Sequence, residues 1–109
     1  EMLRSLVGSE MCIRDSIAAP AAGDVRTVFQ VTSPTTWLAT AGTGDVLAGM
    51  MGAILATAAP TTQAEIAQCV ATATYLHGRA AAHASAGGPI AALDVVAAIP
   101  SMVREMLTT

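Results

Sequence analysis

Lysine is absent from this chain of 109 residues, and its five basic side chains are all arginine. That excludes a phosphate loop of the Gly-Lys-Ser/Thr kind, whose lysine must reach the phosphate oxygens. Acidic residues outnumber basic ones by eight to five, leaving a net charge of −3. Nucleic acid and anionic membrane surfaces are therefore poor partners, since both reward clustered cations. The longest apolar run, Val46 to Ala59, stops at Pro60. It falls short of the roughly 20 residues that a spanning helix needs. Cysteine is scarce too. Cys12 and Cys69 share no metal-ligand spacing and imply no disulfide framework, so a reduced, cytoplasmic setting is expected. Glu1 to Arg14 has no sustained apolar stretch followed by a small-residue cleavage site, so no secretory leader is read there.

Apolar side chains are what the chain has in excess: 53% of residues are hydrophobic against 12% charged. Such a composition packs rather than stays disordered. The length suits at most one domain, burying about two-thirds of its unfolded surface.

One stretch carries chemistry. Leu38-Ala39-Thr40-Ala41-Gly42-Thr43-Gly44-Asp45-Val46-Leu47-Ala48-Gly49 is a threonine- and glycine-rich turn running into an apolar helical segment. The first N–H groups of a helix lack partners inside it, and the helix dipole adds about half a positive charge there. Gly42 and Gly44 let a ligand approach the backbone with no Cβ in the way. The result is an anion cradle suited to phosphate. Asp45 sits where a hydroxyl beside that phosphate would lie, and a carboxylate there can take its proton. The plainer alternative is an ordinary glycine turn with an aspartate in the first helical turn.

Upstream, Ile17–Ala19 and Thr27–Thr32 are short apolar or β-branched runs around Pro20, Gly23 and Asp24, which predicts a hairpin with a medium loop. Within the second run Thr27, Phe29 and Val31 alternate with Val28, Gln30 and Thr32, predicting partial cover on both faces. Ser33 to Thr40 reads as a loop. Its Trp37 can cover a ligand or pack under the hairpin, the commoner fate of a lone tryptophan. A first helix is predicted from Gly44 to Thr57. Gly49, Gly52 and the alanines around them suggest close packing on a sheet, since each interior glycine costs about 0.8–1 kcal/mol relative to alanine.

Thr62-Gln63-Ala64-Glu65 is a capping box opening a second helix that runs to about Ala84, ended by Gly87-Gly88-Pro89. A third helix spans Ala92 to Ala98, and Pro100 opens a fourth reaching Leu107. His77 reads as a histidine hydrogen-bonded in the packing between helices, His83 as a partner for end carbonyls, and Asp94 as a first-turn cap. No His/Cys/Asp/Glu cluster suggests a protein-held metal.

Thr40-Ala41-Gly42-Thr43-Gly44-Asp45-Val46-Leu47-Ala48-Gly49 closely resembles the signature of the ADP/ATP-dependent NAD(P)H-hydrate dehydratases of the ribokinase-like superfamily. Ala73-Thr74-Tyr75-Leu76-His77-Gly78-Arg79-Ala80-Ala81 and Asp94-Val95-Val96-Ala97-Ala98-Ile99-Pro100 are similar to two further elements of that family. The resemblance runs from about Ile17 to Met106. It implies an α/β fold, the chain being the C-terminal portion of a ribokinase-like α/β/α sandwich, with hairpin strands followed by helices. Residues 1–16 match nothing in the family pattern and are expected to be a non-native or divergent extension, with 17–109 the domain fragment.

The resemblance also implies the chemistry. Hydrated NADH or NADPH carries a hydroxyl at C6 of its ring. ADP or ATP, with accompanying Mg²⁺, phosphorylates that hydroxyl, and elimination then restores the dihydropyridine. Asp45 matches the aspartate that contacts the hydrated ring and acts as base. Gly44 matches the nucleotide-contacting glycine, and the N–H groups of Ala41, Gly42 and Thr43 complete the anion hole. The implied partners are the hydrate and the nucleotide, with no nucleic acid and no membrane, and the full-length form is compatible with a homo-oligomer. A fragment lacking the upstream half of the sheet is expected to be inactive alone. Two rivals stay open: a ribokinase-like kinase acting on a small alcohol, and a non-catalytic remnant or binding module.

Overall fold

In a computed structural model of the chain, residues 14–18, 28–32 and 34–108 can be described. Two strands, β1 (Arg14–Ala18) and β2 (Val28–Thr32), pair antiparallel, with Arg14 opposite Thr32 and Ala18 opposite Val28. A 3₁₀ turn at Thr36–Leu38 follows, then three helices: α1 (Thr43–Ala58), α2 (Gln63–Ser85) and α3 (Ala92–Leu107). The described residues are thus mostly helical with a two-stranded ribbon. The expected hairpin loop around Pro20, Gly23 and Asp24 lies outside them. Arg14, Asp15 and Ser16, assigned from sequence to the extension, pair here with Thr32, Val31 and Gln30. On β2, Gln30 and Thr32 are exposed and Val31 is half-buried, so the Gln30/Thr32 face is open rather than covered.

Helix α2 organises the rest, packing against both other helices, both strands and the 3₁₀ turn. Its start is the capping box read from the sequence. The Thr62 hydroxyl accepts from the Glu65 N–H at 3.1 Å, and Glu65 Oε1 accepts from the Thr62 N–H at 3.1 Å. Ala73, Ala80 and Ala81 on its inner face are fully buried, which lets α3 approach closely. The core gathers Leu38, Ala80, Ala81, Val95 and Met102, with Val46, Leu76, Ile90 and Ile99 packed on it.

The sequence places a break at Pro100, and the structure has none: α3 runs through it to Leu107. A proline there cannot donate to the Val96 carbonyl and costs a helix interior about 3 kcal/mol. Both Val96 and Pro100 face solvent, so water can meet the freed carbonyl. On the opposite face Val95, Ala98 and Met102 are buried and Ile99 joins the core, a stripe at helical spacing that spans the proline. Burying large apolar side chains is worth about 1.5–3 kcal/mol each, so the continuous stripe outweighs the lost bond.

A second correction concerns α1. Thr43 is its buried residue, and Gly49 and Gly52 are exposed with nothing within 4 Å of where a Cβ would stand. The close packing expected of them is not found among the described residues. Trp37, expected to pack under the hairpin, is 45% exposed, and neighbouring Leu38 takes the buried place at 8%.

Candidate functional site: an uncapped helix start

The turn before α1 is built by its own backbone. The Thr40 N–H donates to the Leu38 carbonyl at 2.8 Å, and the Thr43 N–H reaches the Thr40 carbonyl at 3.4 Å. Between them the chain reverses at Gly42, whose φ of 88° is a left-handed conformation that glycine adopts without a steric penalty. A side chain there would also meet α3, since an added Cβ would lie 3.1 Å from the Ala92 Cβ.

Thr43 is the corner's fastening. It is 7% exposed, and its hydroxyl lies 2.8 Å from the Leu38 carbonyl and 2.9 Å from that of Thr40. Its own carbonyl lies 2.9 Å from Nε2 of His77, a residue 34 positions away on α2 and 2% exposed. The sequence reading placed His77 in helix packing, but it could not name the partner. That partner is the first turn of α1.

On the outer side the corner is open. Ala41, Gly42, Gly44 and Asp45 are exposed. The first bond of the α1 ladder runs from the Val46 N–H to the Gly42 carbonyl at 3.3 Å, so the N–H groups of Gly44 and Asp45 precede it. Among the described residues no side chain caps the helix start. Asp45 lies in the first turn and, among the described residues, has no ion-pair or hydrogen-bond partner. The arrangement offers oriented amides, the positive end of a 16-residue helix and one carboxylate beside them.

The five residues singled out from sequence therefore share one corner, with unequal exposure. Ala41, Gly42, Gly44 and Asp45 face solvent, whereas Thr43 turns inward and its N–H is engaged by Thr40. Clefts of about 460, 360 and 240 Å³ lie elsewhere, the first lined by Gln68, Ala71, Thr72 and Tyr75 on α2 and the last between α2 and α3 near Arg79 and Glu105. Beside that last cleft His83 stands 3.5 Å from Glu105, a carboxylate partner in place of the expected end carbonyls. Asp94 accepts from the Ala91 N–H at 2.8 Å, the first-turn cap anticipated for it. Among the described residues no three His, Cys, Asp or Glu side chains could together hold a metal ion, and no helix is long and apolar enough to cross a membrane.

A family profile described as NAD(P)H-hydrate dehydratase matches residues 14–100, which takes in β1, the glycine corner, α1, α2 and α3 as far as Pro100. No curated protein and no solved structure matches the chain.

Proposed function

The chain belongs to the NAD(P)H-hydrate dehydratase family, and we propose that its Gly42–Asp45 corner takes part in nucleotide-dependent dehydration of hydrated NADH or NADPH. The observation that carries this reading is the exposed start of α1 with, among the described residues, no side-chain cap and no partner for the carboxylate in its first turn. The terminal phosphate of ADP or ATP lies against the Gly42 and Gly44 backbone. Its charge is met by the first-turn amides and the helix dipole rather than by a lysine. Asp45 holds the C6 hydroxyl of the hydrate and accepts its proton as the oxygen is phosphorylated. Departure of inorganic phosphate from C6, with the adjacent C5 proton released to water, then restores the dihydropyridine. Mg²⁺ comes with the nucleotide in this reading. The described residues offer no cluster of three or more His, Cys, Asp or Glu side chains to hold it.

The three helices and the ribbon constitute, on this proposal, the C-terminal portion of a ribokinase-like α/β/α sandwich. The direct test is titration of the ¹⁵N-labelled chain with ADP and with ATP. Selective shifts of the Gly42, Gly44 and Asp45 amides are expected, and a titration that leaves all three unmoved removes the proposal. Product analysis of a full-length form separates the enzyme readings: recovery of NADH absorbance from the hydrate marks dehydration, whereas a stable phosphorylated alcohol marks a kinase. Binding of nucleotide without either product marks a binding module.

A further inference from the structure

We propose that His77 is a positioning residue for the phosphate-binding corner, acting through the Thr43–Gly44 peptide unit; this rests on the phosphate reading of that corner. The carbonyl that His77 contacts at 2.9 Å and the N–H of Gly44 belong to one planar trans amide. In such a unit C=O and N–H point in opposite directions, so holding the oxygen on the buried side aims the N–H of Gly44 to the other. His77 is 2% exposed on the inner face and Gly44 is exposed on the outer one. One rigid plane thus joins the interior of the helical layer to the surface where a phosphate would sit.

The restraint has a second consequence. A carbonyl oxygen has two lone pairs, so Thr43 can accept from His77 and still serve the α1 ladder. A hydrogen bond to the carbonyl polarises the amide and strengthens its N–H as a donor. His77 therefore both orients and sharpens the Gly44 donor. Thr43 is held from its other end by its hydroxyl against Leu38 and Thr40, so pivoting of the plane is opposed on both sides. The role requires the ring to carry its proton on Nε2, because a carbonyl can only accept.

Two substitutions separate positioning from support. His77→Gln keeps a donor near the place of Nε2, whereas His77→Asn is polar but too short to reach. ADP affinity, read from the Gly44 amide shift, should stay within about twofold for Gln and fall about tenfold for Asn, the scale of one hydrogen bond. Thr62→Ala, which opens the cap at the far end of α2 from His77, serves as the stability control and should lower Tm with ADP affinity unchanged. Equal ADP affinity in wild type and a folded His77→Asn overturns the proposal, as does an equal loss of affinity in Thr62→Ala. The tautomer test needs no variant: a long-range ¹H–¹⁵N spectrum of the wild type must show the His77 proton on Nε2, and a bare Nε2 overturns the proposal even if His77→Asn fails to fold. A wild type that binds no ADP, with the Nε2 proton in place, removes the phosphate reading beneath it and is distinguished in that way.

Discussion

Helices α1 and α2 begin in opposite ways. At the start of α2, Thr61 and Thr62 together direct two backbone N–H groups and two hydroxyls at Glu65 Oε1, at 3.0–3.2 Å, and the Thr62 hydroxyl answers the Glu65 N–H. The end is closed by its own side chains. At the start of α1 the cap is a glycine with no side chain, and the first-turn carboxylate does not fold back to close the end. A capped start contributes to stability and has little left to offer a ligand. One capped by glycine forgoes roughly a few tenths of a kcal/mol and keeps its amides available. Within one small fold, the three acidic residues of first turns thus divide: Glu65 and Asp94 each complete a helix start, and Asp45 faces out.

That contrast can be broken most forcefully at Asp45. In a full-length form, Asp45→Asn should slow recovery of NADH from its hydrate by about two to four orders of magnitude, the range of general-base contributions, while ADP affinity stays within a few-fold. Near-normal turnover by the variant would return Asp45 to the plain role of a first-turn acid. Next comes Gly42→Ala, which puts a Cβ on a residue at φ 88° and 3.1 Å from Ala92. Destabilisation by about 1–2 kcal/mol is expected from the left-handed backbone, seen as a lower Tm, together with weaker ADP binding. Thr62→Ala is the mirror experiment. It should lower stability by about 1 kcal/mol in a denaturant titration and leave ADP binding untouched. If it weakened ADP binding instead, the separation between a structural and a functional helix start would fail.

The smallest effect concerns pH. Hydrogen bonds from the Thr61 backbone, then from the Thr61 and Thr62 hydroxyls, hold the Glu65 carboxyl below its ordinary value of 4.5 in the folded chain. A carboxyl whose value is lowered by folding contributes stability that is present above its unfolded value and lost as pH falls through the folded one. Stability should therefore decline below about pH 4.5, and Glu65→Gln should flatten that part of the profile. An unaltered profile in the variant would show the cap to be energetically idle.

Much of this was legible in the residues alone because it is local. The capping box spans four positions, and the observed α1 and α2 boundaries fall within a residue of those expected from the pattern. Asp94 as a cap and Gly42 as a turn residue follow from side chains acting on the backbone next to them. The pairing of β1 with β2 was likewise expected from two short runs around turn residues. The misreadings share a cause. Local preference disfavours Pro100 inside a helix and so marks it as a helix start, and Gly49 and Gly52 read as packing glycines because nothing local explains their cost.

Sequence order alone determined where helices begin, which of them is sealed by its own threonines, and that a glycine turn precedes an acid on an apolar helix, since such choices are settled over a few bonds. Tertiary structure decided that α3 continues past a proline, that Trp37 stays outside while Leu38 goes in, and that His77 meets a carbonyl 34 residues away. Those outcomes depend on which surfaces are removed from water together and on which distant groups are left beside one another, and neither quantity exists until the helices have packed.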